Sequence, residues 1–145
     1  MGAVVGSLVT LAACTRAVPV DEPDLSSHDE AVCHAVMADL PEVVGGLNRR
    51  ETDPGIVSAA WGSPPVTLRC GVTQPQELTA TSECLEVNGV GWFDEPGTGG
   101  RVFTTVGRAT FIEVSVPDEY PPQAAALTYF SDVISTHDPL HTPCV

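Results

Sequence analysis

The chain is 145 residues long, and its 6 Lys plus Arg against 19 Asp plus Glu give a formal net charge of -13 and a pI near 4.3. That balance excludes proteins that track phosphate backbones, which need a basic footprint, and proteins held on anionic lipid by charge alone. The length allows one domain, and a 43% hydrophobic content with two Trp, two Tyr and four Phe supplies the core that a disordered chain lacks.

The chain opens with an uncharged, mostly apolar run from Gly2 to Ala13 that ends in Leu11-Ala12-Ala13-Cys14. Such a run is shorter than the about 20 residues a bilayer-spanning helix needs, but it matches the apolar region and small-residue cleavage site of a secretory signal. The tetrad resembles the lipobox of bacterial lipoproteins, in which the Cys carries the diacylglyceryl group after cleavage. Residues 1–13 are therefore expected to be a signal peptide and Cys14 the point of lipid attachment. No Lys or Arg precedes the apolar run, and a start upstream of Met1 would supply one. From Thr15 to Ser26 the chain holds two Pro and three acidic residues without sustained periodicity. It reads as a flexible tether over 14–27, with an end-to-end distance of about 20 Å, leaving 28–145 as a single domain. No charge drives that placement; the lipid holds the body at the outer face of the cytoplasmic membrane.

Ser27-His28-Asp29-Glu30 predicts a capping box, with Ser27 as N-cap and Glu30 at N3. The helix it opens carries the stripe Cys33, Val36, Met37 and Leu40, and Pro41 stops it. From Val43 to Val116 the pattern changes to short runs of Val, Thr and aromatics punctuated by Gly and Pro, the signature of a sheet. The predicted strands run from Leu47 to Glu51, Ile56 to Trp61, Val66 to Cys70, Cys84 to Val87, Val90 to Phe93, Arg101 to Val106 and Thr110 to Val116. Asn88-Gly89 predicts a two-residue hairpin turn, which sets Val87 opposite Val90 and Leu85 opposite Trp92. Residues 97–100, Gly97-Thr98-Gly99-Gly100, read as a flexible connection. Pro121-Pro122 opens a last helix with the apolar stripe Ala126, Leu127, Phe130, Val133 and Ile134, ended before Pro139. Helix, antiparallel strands and helix predict an α+β, two-layer sandwich: a mainly antiparallel sheet with an N-terminal and a C-terminal helix on one face.

Setting Cys14 aside leaves Cys33, Cys70, Cys84 and Cys144, an even number in a chain read as exported, so two disulfides are expected with three possible connectivities. Orientation selects among them. Cys33 lies in the helical stripe, and Cys70 alternates with Val66 and Leu68, so both sulfurs face the core and staple helix to sheet. Cys84 has the opposite parity from Leu85 and Val87, faces outward and meets Cys144 in the tail. A four-Cys zinc site is disfavoured because no C-x-x-C pair is present.

Chemistry-bearing patterns are scarce. No G-x-S-x-G, Walker, dinucleotide-binding, EF-hand or H-E-x-x-H motif occurs. His137 and His141 stand four apart, but Pro139 between them breaks a helical metal face, and solvated tail histidines fit better. Asp94-Glu95 and Asp118-Glu119 read as acidic turns, since calcium wants six or more converging oxygens. No metal and no cofactor is expected. Trp92 belongs to the core by its hairpin register, whereas Trp61, ending a strand before Gly62, is the candidate for a partly exposed binding anchor. Arg49, Arg69 and Arg108, scarce cations on an acidic body, form the candidate anion-binding surface with it, ordinary ion pairs being the simpler account.

Taken together, the helix bearing Cys33, Ala59-Ala60-Trp61-Gly62-Ser63-Pro64-Pro65, Leu68-Arg69-Cys70-Gly71, Val87-Asn88-Gly89-Val90-Gly91-Trp92 and Phe103-Thr104-Thr105-Val106-Gly107-Arg108 resemble the actinobacterial domain of unknown function 3515 family. The resemblance spans His28 to Ile134. It implies an exported or lipid-anchored small domain bearing disulfides, with genes near those for cell-wall precursors, and it supplies no catalytic residues to carry over. The expected function is a non-enzymatic lipoprotein of the envelope that binds a protein or a cell-wall component, with the membrane engaged through the lipid and no nucleic acid bound. An anion or small-solute binding module is the alternative, and a small envelope hydrolase using carboxylates a further one.

Overall fold

The computed structural model describes residues 16–144. In chain order the elements are β1 (Val18–Pro19), α1 (Ser27–Asp39), β2 (Val43–Val44), β3 (Leu47–Arg50), β4 (Thr52–Asp53), β5 (Ser58–Trp61), β6 (Val66–Cys70), β7 (Leu85–Val87), β8 (Val90–Gly97), β9 (Gly100–Val106), β10 (Ile112–Pro117), a 3₁₀ helix (Gln123–Tyr129) and α2 (Ser131–His137). Eight strands form one antiparallel sheet in the order β2-β3-β5-β6-β10-β9-β8-β7, and β1 and β4 make a separate parallel pair.

Helix α1 caps one residue earlier than expected. Ser26 is the N-cap and accepts from the Asp29 backbone N–H at 3.1 Å. The capping role falls there because Ser26 and Asp29 pair reciprocally, the Ser26 hydroxyl also donating to Asp29 Oδ2 at 2.5 Å, while Asp29 Oδ1 receives the Thr110 hydroxyl at 2.8 Å and ties the first turn to the sheet. The stripe holds: Cys33, Val36 and Leu40 are buried and Met37 packs against them. The Cys33–Cys70 disulfide then joins α1 to β6 across a sequence separation of 37, and Cys84–Cys144 joins the start of β7 to the tail across 60. Both pairings agree with the face assignment, and they place the chain in an oxidising, extracytoplasmic setting.

The hairpin register is as expected, with Leu85 opposite Trp92 and Val87 opposite Val90. Residues 97–100 form no flexible link: β8 and β9 pair all the way to Gly97 opposite Gly100. A Cβ on Gly100 would lie 2.2 Å from the Val116 carbonyl oxygen, so only glycine lets β9 come this close to β10. The last helix divides in two. Phe130 N–H reaches back only to Leu127 O, ending a 3₁₀ turn, and α2 restarts from Phe130. The Ser131 hydroxyl, within 3.1 Å of both Leu127 O and Val87 O, ties this break to the sheet. Leu127, Phe130 and Ile134 are buried from the two helices, and together with α1 they cover one face of the sheet over Trp61, Leu68, Trp92, Phe103 and Val114.

Residues 16–26 depart most from expectation, because they are no tether. Val18 N–H bonds Glu51 O at 2.8 Å, and Val20 N–H bonds Asp53 O at 3.1 Å. Glu22 Oε1 accepts from Ile56 N, Val57 N and Ser58 Oγ at 2.8, 3.0 and 2.5 Å. The loop before β5 has no strand to satisfy its N–H groups, and the carboxylate takes that place. The folded body thus begins before residue 28, with this strap lying on the sheet face opposite the helices. It explains why all four residues of β5 are buried, whereas β6 alternates. Cys14 and the 1–13 segment lie outside the described residues.

Removing either disulfide by a Cys→Ala pair should lower unfolding stability by up to about 4 kcal/mol on the chain-entropy account. Denaturant titration of each variant checks this, and a much smaller loss would show that the closed loop is already ordered in the unfolded chain.

Candidate functional site

A mostly apolar concave surface forms where the β2–β3 hairpin meets the chain after β10. Val43-Val44-Gly45-Gly46-Leu47 contains two consecutive glycines with φ of 56° and 82°, the conformation of a type I′ turn. That turn sets Val44 opposite Leu47 and directs both toward the helical face. Beyond β10, Pro121 and Pro122 hold the chain extended before the 3₁₀ helix, and the Tyr120 hydroxyl donates to Pro64 O at 2.8 Å, which fixes its ring. The small side chains of Ala125 and Ala126 leave space between Tyr120 and Tyr129. The result is a groove of about 480 Å³, floored by Val44 and Val66 and walled by Leu47, Tyr120, Pro122 and Tyr129. Tyr129 is 47% exposed. Glu119 is the one ionisable carboxylate on its lining, and the Tyr120 hydroxyl already has a protein partner.

The residues singled out from sequence do not converge. Trp61 is fully buried: its Nε1 donates to Pro41 O at 2.8 Å and its ring tilts against Phe130 at 5.2 Å. It is a core residue, because its side chain points to the sheet face that the helices cover. Arg49 stacks over that indole at 5.9 Å and reaches Leu40 O at 3.4 Å and Glu42 at 3.8 Å. Arg69 lies on the opposite face of the sheet, bonded through Nε and Nη2 to the two oxygens of Glu113 at 3.0 Å and through Nη1 to Asp21 O at 2.9 Å. Arg108 is buried, donating to the backbone carbonyls of Asp138 and Gly89. Burial pushes its pKa down, while Asp138 nearby pulls it up. Arg50 and Arg101 are also bonded internally, to Gly62 O and Arg16 O and to Asp94. The arginines therefore hold the fold together and present no joint anion patch.

Other expected positions resolve in the same way. His137 Nε2 meets Asp39 Oδ2 at 2.6 Å, linking the ends of the two α-helices, so it is no free tail residue. Among the described residues no three His, Cys, Asp or Glu side chains are grouped to hold a metal ion. Asp138 accepts from the backbone N–H groups of Ala109 and Thr110 at 3.2 and 3.1 Å; burial raises its pKa despite those bonds and the Arg108 charge. On the face opposite the helices, Glu95 is pushed above its ordinary value by partial burial and then by Glu77 and Glu113. None of these perturbed groups lines the groove. The groove itself escaped the sequence reading because Tyr120 and Tyr129 are brought beside the hairpin only by the fold; the Gly-Gly pair between apolar residues was the one local signal for β2.

The structure is a disulfide-stapled α+β domain with a mostly apolar groove at one end of its sheet. The chain belongs to the family described as protein of unknown function (DUF3515), which matches residues 2–142. Comparison with curated proteins and with solved structures finds no match for either.

Two outcomes follow. Trp61→Ala should cost about 3–5 kcal/mol, as for other large buried aromatics, whereas Tyr129→Ala should leave denaturant stability nearly unchanged. Glu95→Gln should raise the melting temperature at neutral pH. Its folded pKa lies above the ordinary 4.5, so the ionised form is the costly one, and the gain over wild type should close as pH falls below that value. Melting curves of the two proteins across pH read this directly.

Proposed function

We propose that this protein is an exported lipoprotein, anchored through Cys14, whose domain binds an envelope protein rather than catalysing a reaction. The observation that carries the reading is the tyrosine- and proline-walled groove beside the β2–β3 hairpin. Concave, mostly apolar surfaces with few polar groups are what binding sites for extended chain segments look like. A glycan ligand would call for several free hydrogen-bonding side chains, and here the Tyr120 hydroxyl is already engaged and Glu119 stands alone as a charge. An anion ligand finds little support either, since Arg49, Arg50, Arg69, Arg101 and Arg108 are all bonded within the fold. For catalysis, titratable groups would have to converge on the groove, and the shifted ones, Glu95, Arg108 and Asp138, lie elsewhere.

The lipid reading rests on Leu11-Ala12-Ala13-Cys14, and the extracytoplasmic setting on the two disulfides. In the native host, a photo-crosslinking residue at Tyr129 should capture one discrete envelope protein. The same residue at Asn88, at the opposite end of the sheet, should not. Ala125→Trp, which fills the groove from an exposed position, should abolish the product without lowering thermal stability. Equal capture at both positions, or capture that survives groove filling, refutes the docking role.

A further inference from the structure

The strap changes what an anchor at Cys14 would do. Arg50 clamps it: Nη2 donates to Arg16 O at 2.9 Å and Nη1 to Gly62 O at 3.0 Å, so the chain is already held to the sheet at residue 16. Only Thr15 stands between that point and Cys14, a reach of at most about 7 Å. A flexible 14–27 tether would let the body sample every orientation; this leash does not.

The direction of the leash is also set. β1 runs parallel to β4, with Val18 beside Thr52 and Pro19 beside Asp53, and Glu22 arrives at the loop before β5. Traced backwards, the chain therefore leaves the sheet toward the turn after β5. Antiparallel pairing gathers at that same end the turns 45–46, 62–65 and 98–99 and the segment after β10. Gly62 N–H bonds Asn48 O, Tyr120 Oη bonds Pro64 O, and Asp118 N–H bonds Gly99 O. Both disulfides, the 71–84 loop and the Asn88-Gly89 turn lie at the other end, where Cys70 pairs with Ile112 and Val87 with Val90.

We infer that the domain stands end-on against the lipid bilayer, with the turns 45–46, 62–65 and 98–99 as its membrane-facing surface and the two disulfides farthest from it. This rests on the lipoprotein reading above. Charge does not assist: Asp118 and Glu119 sit at the same end of an acidic body and are repelled by anionic headgroups. Covalent acyl chains supply the attraction and the short leash supplies the orientation. The groove walls Tyr120 and Tyr129 belong to this end, which puts an envelope partner bound there at the level of the headgroups, where amphipathic tyrosines are at home.

The test uses the full-length protein in native membranes, with a photo-crosslinking residue placed in turn at Ser63, Thr98, Asn88 and Ala80, all exposed, and lipid adducts quantified by mass spectrometry. Ser63 and Thr98 should give severalfold more phospholipid adduct than Asn88 and Ala80. A long Gly-Ser insertion after Thr15, whose reach grows as about 5–6 Å times the square root of its length, should erase that difference while the protein stays in the membrane fraction. Equal labelling at both ends without the insertion, or a preference that persists with it, overturns the orientation. Mass analysis of the N-terminal peptide and fractionation of Cys14→Ser test the anchor separately: an unmodified Cys14, or a Cys14→Ser protein retained in membranes, overturns the lipoprotein reading, whereas a lipidated Cys14 with equal labelling overturns the orientation alone.

Discussion

The fold depends on a buried polar node around Asp138. Its carboxylate receives the N–H groups of Ala109 and Thr110, its carbonyl receives the Arg108 guanidinium, and Thr110 passes a hydrogen bond on to Asp29 at the start of α1. Arg108 also reaches Gly89 O in the β7–β8 turn and Ser135 in α2. One acid and one guanidinium therefore fix both α-helices and two sheet turns to one another. A buried group of this kind is costly if any member is missing, since each partner would be left unsatisfied in a dry interior. Placed at the C-terminal end of α2, the guanidinium also sits where the helix dipole favours a cation.

That node and the Cys33–Cys70 bond secure the same end of the sheet, the one opposite the groove. There the loops are held by covalent bonds and buried hydrogen bonds. At the other end hydrogen bonds join the turns, and beside them an apolar groove is left open: Val44, Leu47 and Val66 under the rings of Tyr120 and Tyr129, with small alanines leaving a gap. Under the docking role proposed above, the firmly held scaffold means that little ordering is left to be done when a partner enters the groove.

The arginines show how scarce charge is used. On a body with a net charge of -13, each of five arginines satisfies backbone carbonyls or carboxylates within the fold. Arg50 holds the N-terminal strap and Arg69 joins that strap to β10 through Asp21 O and Glu113. A cation that looks free in an acidic sequence is drawn to the oxygens nearest to it in space, and those are set by the fold.

Local rules determined much of this protein from its sequence alone. The α1 stripe, the Asn88-Gly89 register, the strand alternation through Cys70 and Ile112 and both disulfide pairings were legible, because each follows from a period of 3.6 or 2 and from which face a side chain must take. Tertiary structure alone decided the rest. Trp61 became core because its ring faces the helices, against Phe130 and the Pro41 carbonyl, which no local pattern around Gly62 announces. Residues 16–26 joined the body because Glu22 supplies an acceptor to donors more than thirty residues away. The groove exists because Tyr120 and Tyr129 close over a hairpin that lies more than seventy residues earlier in the chain. Contacts of that range are chosen by global packing, and short-range periodicity carries no information about them.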